Sequence, residues 1–196
     1  MISIILVLAL LLYMGVLSTS LTILALAGIV AVVGYKWPML FKHASIFYVL
    51  SLIIAVLSVV FYTSEYVTYI TRGYLGYALF FIVMMVGVLP NKWTFSRNIK
   101  RNRGVFSILG FLLISPHAFL HVFGFFSTIN LFGIIAYVLM IPLTIISFRV
   151  IRKQISPKDW FTIQKAAYLI YIMLFTHIIW VGSWIDKVVY AVLATL

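Results

Sequence analysis

The chain contains no cysteine and only three acidic residues, Glu65, Asp159 and Asp186, among 196. Without cysteine there is no structural disulfide, no thiolate ligation of an iron–sulfur cluster and no thiol nucleophile, so redox chemistry would need a bound cofactor. The scarcity of carboxylates removes the usual general acid–base pairs, and the apolar segments hold no nucleophile–base–acid set. A transporter would be expected to show paired broken helices or buried carboxylates near the midplane, whereas the three acids here lie at segment edges. A Rossmann-type glycine fingerprint is also missing, which places any nicotinamide or flavin chemistry on another protein. Charged residues make up 9% of the chain and hydrophobic residues 65%. A water-soluble domain of that composition would have no polar face to present to solvent.

What is there is a succession of apolar runs. Those at about 46–62, 74–90, 104–126, 129–148 and 163–185 have the length and composition of membrane-spanning helices. The uncharged stretch from Ile2 to Tyr35 is too long for one helix within a bilayer about 30 Å thick. A break near Gly15 to Ser20 gives two short helices, and a single tilted helix is the alternative. A cleaved signal peptide is disfavoured because no basic residue precedes the run. The expected fold is an all-α, polytopic transmembrane bundle of six or seven spans. It divides into an N-terminal hydrophobic segment, 1–35, and a bundle, 36–196.

Lysine and arginine orient it. Lys92, Arg97, Lys100, Arg101 and Arg103 fall in one loop and Arg149, Arg152, Lys153 and Lys158 in another, so the basic loops are expected in the cytoplasm of a multi-pass cell-membrane protein. Lys36 and Lys42 fall on the same side by alternation, with Glu65, Arg72 and the turn at 124–130 outside. Positive-inside topology and attraction to anionic lipid headgroups account for the net charge of +11, and nucleic acid is not an expected partner.

Two histidines then stand out for their depth. His117 lies fourteen residues beyond Arg103, and His177 thirteen beyond Gln164, on helices that run in the same direction. Both imidazoles come out about 20 Å from the cytoplasmic boundary at about 1.5 Å per residue. This is the arrangement for axial ligation of one haem iron from opposite faces, with the haem between the histidine-bearing helices. Gly110, His117, His121 and Gly124 form one stripe at helical spacing, and glycine allows a flat macrocycle to approach the backbone. His121 shares the face of His117 and is an alternative ligand, or a hydrogen-bond partner of a propionate or substrate. Pro116 either aims the His117 ring through a kink or is simply tolerated. Tyr171, Met173, Trp180 and Trp184 read as ordinary helix and lipid contacts, and His43 as an interfacial histidine.

The passages RGYLGYALFFIVMMVGVLPNKWTF, RNRGVFSILGFLLISPHAFLH and RKQISPKDWFTIQKAAYLIYIMLFTHII resemble bacterial members of the ferric reductase-like transmembrane superfamily. The resemblance covers about residues 36–185 and rests on the glycine-rich LGYALFFIVMMVGVLP helix, on Arg103 and on the W…IQKAAY…H pattern. That superfamily includes the membrane parts of ferric reductases and NADPH oxidases and the haem subunit of the bacterial periplasmic methionine sulfoxide reductase system. It implies a six-helix bundle with haem b, with His117 and His177 as iron ligands. Members with two stacked haems carry a second histidine one layer lower on each of these helices. Arg103 and Gln164 stand there instead, and neither is a normal iron ligand, so one haem is expected. Arg103 and Lys165 are candidates for pairing with propionates or phospholipid.

The function expected is transmembrane or intramembrane electron transfer, as the haem-bearing component of an oxidoreductase. The donor would be a separate molecule, a membrane quinol or a cytoplasmic flavoprotein, and the acceptor ferric iron, oxygen or an outer-side protein. The competing reading is a non-redox scaffold or small transporter subunit, in which the histidines make structural hydrogen bonds between helices.

Overall fold

The computed structural model describes residues 19–36, 42–123 and 130–193. The expected first span, the residues before Thr19 at the proposed break and Gly124 of the histidine stripe lie outside them. Helices are the regular structure of the described residues, joined by turns and short loops, with no strand among them. In chain order they form α1 (Thr19–Lys36), α2 (Ala44–Val60), a 3-10 turn (Glu65–Val67), α3 (Thr68–Thr71), α4 (Tyr74–Val88), α5 (Thr94–Arg101), α6 (Arg103–Val122), α7 (Leu131–Ile145), α8 (Arg149–Arg152), α9 (Pro157–Gln164), α10 (Ala166–Val181) and α11 (Trp184–Leu193).

Among the described residues, four helical runs are long and apolar enough to cross a membrane: Thr19–Lys36, Glu65–Gly87, Arg103–Val122 and Pro157–Val181. Two more apolar helices, α2 and α7, are shorter, at 17 and 15 residues. Each of the five spans expected from Ile46 onward coincides with an apolar helix. The last ends earlier than its hydropathy alone indicates: Gly182 is extended (φ −78°, ψ 161°), and α11 begins as a separate helix at Trp184. Hydropathy does not register this break, because the residues after it are again apolar.

Helix ends segregate. Tyr35 packs on Phe95, Tyr48 on Phe148, and the end of α1 at Gly34 meets Phe106 near the start of α6. Around this end lie twelve of the fourteen lysines and arginines, all but Arg72 and Lys187. It is called the basic end below. Lys100 is anchored there, its Nζ donating to the Leu89 carbonyl at 2.8 Å and to Asn91 Oδ1 at 2.6 Å. At the far end the start of α1 reaches α4 through Thr19 and Tyr74, and α10 finishes beside the start of α7.

The core is a seam between α4 and α6, flanked by α1, α2, α7 and α10. Tyr77, Ala78, Phe80 and Val83 on α4 meet Phe106, Leu109, Leu113 and Ile114 on α6. Glycine sets the separation. A Cβ on Gly76 would lie 2.7 Å from both Ile114 Cβ and the Ile114 backbone nitrogen, and one on Gly110 would lie 3.2 Å from the Gly76 carbonyl oxygen. Small residues at a crossing let two backbones approach and gain dispersion contacts where lipid offers no hydrophobic drive. Ser51, Ala55 and Ser58 are likewise the buried stripe of α2, whereas Val49, Leu52, Ile53 and Val56 are exposed, as lipid-facing side chains would be. Gly76→Val should force this crossing apart and cost about 1–3 kcal/mol, the range for overpacking a tight core. The thermal midpoint of the protein in mild detergent should fall, and an unchanged midpoint would mean that the crossing relaxes freely.

Candidate functional site

The far end of the bundle holds a cavity of about 790 Å³ between α1, α4, α6, α7 and α10. Its wall is mostly apolar, with Ile23, Ile114, Met140, Leu174 and Ile178 among the contributors. Three histidines, His117, His121 and His177, point chemistry into an otherwise greasy space. The volume is in the range of cofactor and ligand sites, about 300–1,000 Å³.

The histidines are brought together as their matched depth predicts. The His117 and His177 ring centres are 6.2 Å apart with planes at 70°, and His121 is 4.5 Å from His117. The His117 ring is held from behind: its Nδ1 lies 3.1 Å from the Thr71 carbonyl oxygen. A carbonyl only accepts, so Nδ1 carries the proton and Nε2 keeps its lone pair. A backbone partner on the outer nitrogen is the usual means of fixing the tautomer and orientation of a metal-ligating imidazole. The His177 Nδ1 is buried with no hydrogen-bond partner, an arrangement that costs free energy unless something else satisfies the ring.

Each of these two rings leans on a glycine of a neighbouring element. A Cβ at Gly73 would lie 3.1 Å from His117 Cγ, and one at Gly133 would lie 2.9 Å from His177 Nδ1. Gly73 also has a φ of +77°, the left-handed conformation that glycine adopts without strain, and it is the N-cap of α4. It thereby turns the chain directly over the His117 ring. Neither glycine was singled out from the sequence. The signal available was weak, a glycine immediately before or just inside an apolar helix, and its meaning depends on which histidine lies across from it.

The other expected site residues fall elsewhere. Gly110 does allow a close approach, but what approaches is the α4 backbone at Gly76, and Gly110 does not line the histidine cavity. Arg103 starts α6 at the basic end, beside Gln164, Ser107 and Tyr171, around a space of only about 30 Å³. That is room for about one water and for no macrocycle. The cation at the histidine cavity is instead Arg72, exposed at its rim between Thr71 and Gly73. Pro116 is buried within a helix that runs unbroken from Arg103 to Val122. Ser115 beside it is tied to the Phe111 carbonyl (2.7 Å), and it receives the Tyr137 hydroxyl at 2.9 Å. His43 is exposed at the basic end, and Trp180 and Trp184 are exposed at the far end, where aromatic rings suit a membrane interface.

Among the described residues, no three histidine or carboxylate side chains converge to hold a bare metal ion. Haem makes a smaller demand, two axial ligands and a slot. A metal–imidazole distance of about 2 Å on each side, plus about 1 Å from nitrogen to ring centre, would separate two coordinating rings by about 6 Å. The His117–His177 spacing and the volume of the cavity therefore fit the group. No protein-family model, curated protein or solved structure matches the chain.

Proposed function

We propose that the chain is a multi-pass membrane haem b protein of the ferric reductase-like kind, with one haem held between His117 and His177. The observation that carries the reading is the pair of imidazoles 6.2 Å apart in an apolar cavity of about 790 Å³. The crowding around Arg103 and Gln164 supports one haem over two, since the inner layer has no comparable space. On this reading the six apolar helices cross the bilayer, with any further span before Thr19, and the basic end faces the cytoplasm.

Bound haem supplies a one-electron centre that alternates between ferric and ferrous iron. The chain's own residues define its surroundings. His117 and His177 would hold it through nitrogen, Thr71 keeps the His117 lone pair facing inward, and the apolar wall would exclude water. Arg72 replaces Arg103 as the natural partner for an anionic group at the rim, because it is the cation that borders this cavity. The electron donor is a separate molecule, a quinol in the bilayer or a flavoprotein docked on the basic end. The acceptor approaches from the far end, as ferric iron, oxygen or an outer-side protein. The haem lies toward that end, which favours the membrane-soluble donor because the path from the cytoplasmic surface is long.

The test is optical. Protein purified in mild detergent should give a b-type spectrum, reducible by dithionite, and a pyridine haemochrome assay should return close to one haem per chain. Reduction by quinol analogues should then follow. Absence of haem even after reconstitution with hemin would overturn the reading and leave the non-redox scaffold or transporter subunit as the better account. A haem that quinol analogues fail to reduce would transfer the donor role to a flavoprotein.

A further inference from the structure

Asp186 is one of only three acids in the chain and is 2% exposed. Its Oδ1 accepts from the Ser20 backbone N–H at 2.7 Å and from the Ser20 hydroxyl at 2.5 Å. Its Oδ2 accepts from the Ser183 N–H at 2.9 Å and the Ser183 hydroxyl at 2.7 Å. One carboxylate thus satisfies N–H groups at the starts of two helices, α1 and α11, and its bond to Ser20 joins residues 166 apart in sequence. A comparison within the chain shows what is unusual. Asp159 makes the same Ser-x-x-Asp contact with Ser156 at the start of α9, but on an exposed surface. Asp186 adds to its local cap a bond across the bundle.

That bond lies at the rim of the histidine cavity. Thr19, next to Ser20, and Gly182, next to Ser183, both line it. Gly182 is packed so closely that a Cβ there would lie 2.7 Å from Asp186 Cβ, and it follows directly on α10, the helix that carries His177. We propose that Asp186 is a positioning residue, a latch that joins α1 to the His177 end of α10 and closes this side of the cavity. Burial alone would raise the pKa of its carboxyl, but the bonds from Ser20 and Ser183 outweigh that and hold it below the usual carboxylate value. The group is therefore ionised at neutral pH. The stability it adds is present above the ordinary carboxylate pKa and is lost as pH falls through the lowered one.

The consequence for haem retention rests on the proposed function, whereas the latch itself does not, so the test has two independent readouts. Hydrogen exchange of the full-length protein in detergent reads the latch. In Asp186→Ala the amides of Ser20 to Ile23 and of Ser183 should exchange about tenfold faster or more, as local opening becomes easier. Asp159→Ala should leave those amides unchanged. Transfer of bound hemin to excess apomyoglobin reads the positioning role, and Asp186→Ala should speed it about tenfold, with Asp159→Ala at the wild-type rate. Asp186→Asn, which keeps the size but turns an amide donor toward one pair of serine donors, should be intermediate, and it carries both readouts if the alanine variant fails to fold. Unchanged exchange at Ser20 would overturn the latch. Faster exchange with unchanged hemin transfer would overturn the positioning role. A wild-type protein that takes up no hemin would sink the proposed function and not the latch, which the exchange of Ser20 and Ser183 would then decide.

Discussion

Purified His177→Ala and His117→Ala proteins should each lose the low-spin b-type spectrum, with hemin affinity reduced by roughly 100-fold or more. Removal of a partner that merely orients a metal ligand already costs about 10–100-fold, so removal of the ligand itself should exceed that. His121→Ala should keep haem at full occupancy, with only the reduction potential or ligand field altered. The distinction comes from what lies behind each ring. Thr71 fixes the His117 tautomer through its carbonyl, an orienting partner of the kind that ligating imidazoles use, and the His117–His177 separation is 6.2 Å. Pyridine haemochrome stoichiometry and reduced-minus-oxidised spectra of the three variants decide the matter. Full haem in His117→Ala together with its loss in His121→Ala would transfer the ligand role to His121. Full haem in His177→Ala would remove the pairing altogether.

Much of this site is legible in the sequence, and for a physical reason. On two helices running in the same direction, residue counts from a shared boundary translate directly into depth, so His117 and His177 could be matched before any packing was known. The same reasoning placed His121 on the His117 face, and the structure brings it to 4.5 Å from that ring. Helical register does not say what lies across a face. Gly110 belonged to the histidine stripe by spacing, yet it is the α4 backbone that occupies the space beside it. Arg103 drew attention as the cation before the histidine helix. The same depth count puts it at the other end of α6, with His117 fourteen residues away, and leaves Arg72 as the cation of the rim. Hydropathy likewise located the five apolar helices from Ile46 onward but ran through Gly182, because a break between two apolar helices leaves no polar mark. The Asp186–Ser20 contact joins residues 166 apart, and no local pattern announces a contact at that range.

The second large effect is expected from a glycine that binds nothing. The Gly133 Cα leaves so little room that an added Cβ would lie 2.9 Å from His177 Nδ1 and 3.0 Å from Cε1. Alanine would push the imidazole by a few tenths of an ångström. Haem should then stay bound in Gly133→Ala, with a changed low-spin signature in electron paramagnetic resonance, because the ring plane turns. Gly133→Val adds two methyl groups in the same direction and a stiff side chain, so the ring must leave its place. The expected result is a hemin affinity as low as that of His177→Ala, with helical content by circular dichroism unchanged, because the side chain grows toward the cavity and not into the α4–α6 seam. The double variant Gly133→Val/His177→Ala should be no worse than either single one. If both changes act only through the same imidazole, their effects cannot add. Additive losses would show that Gly133 supports the cavity independently of His177. A Gly133→Val protein with wild-type hemin affinity would mean that His177 is dispensable, and with it the two-histidine seat on which the electron-transfer reading rests.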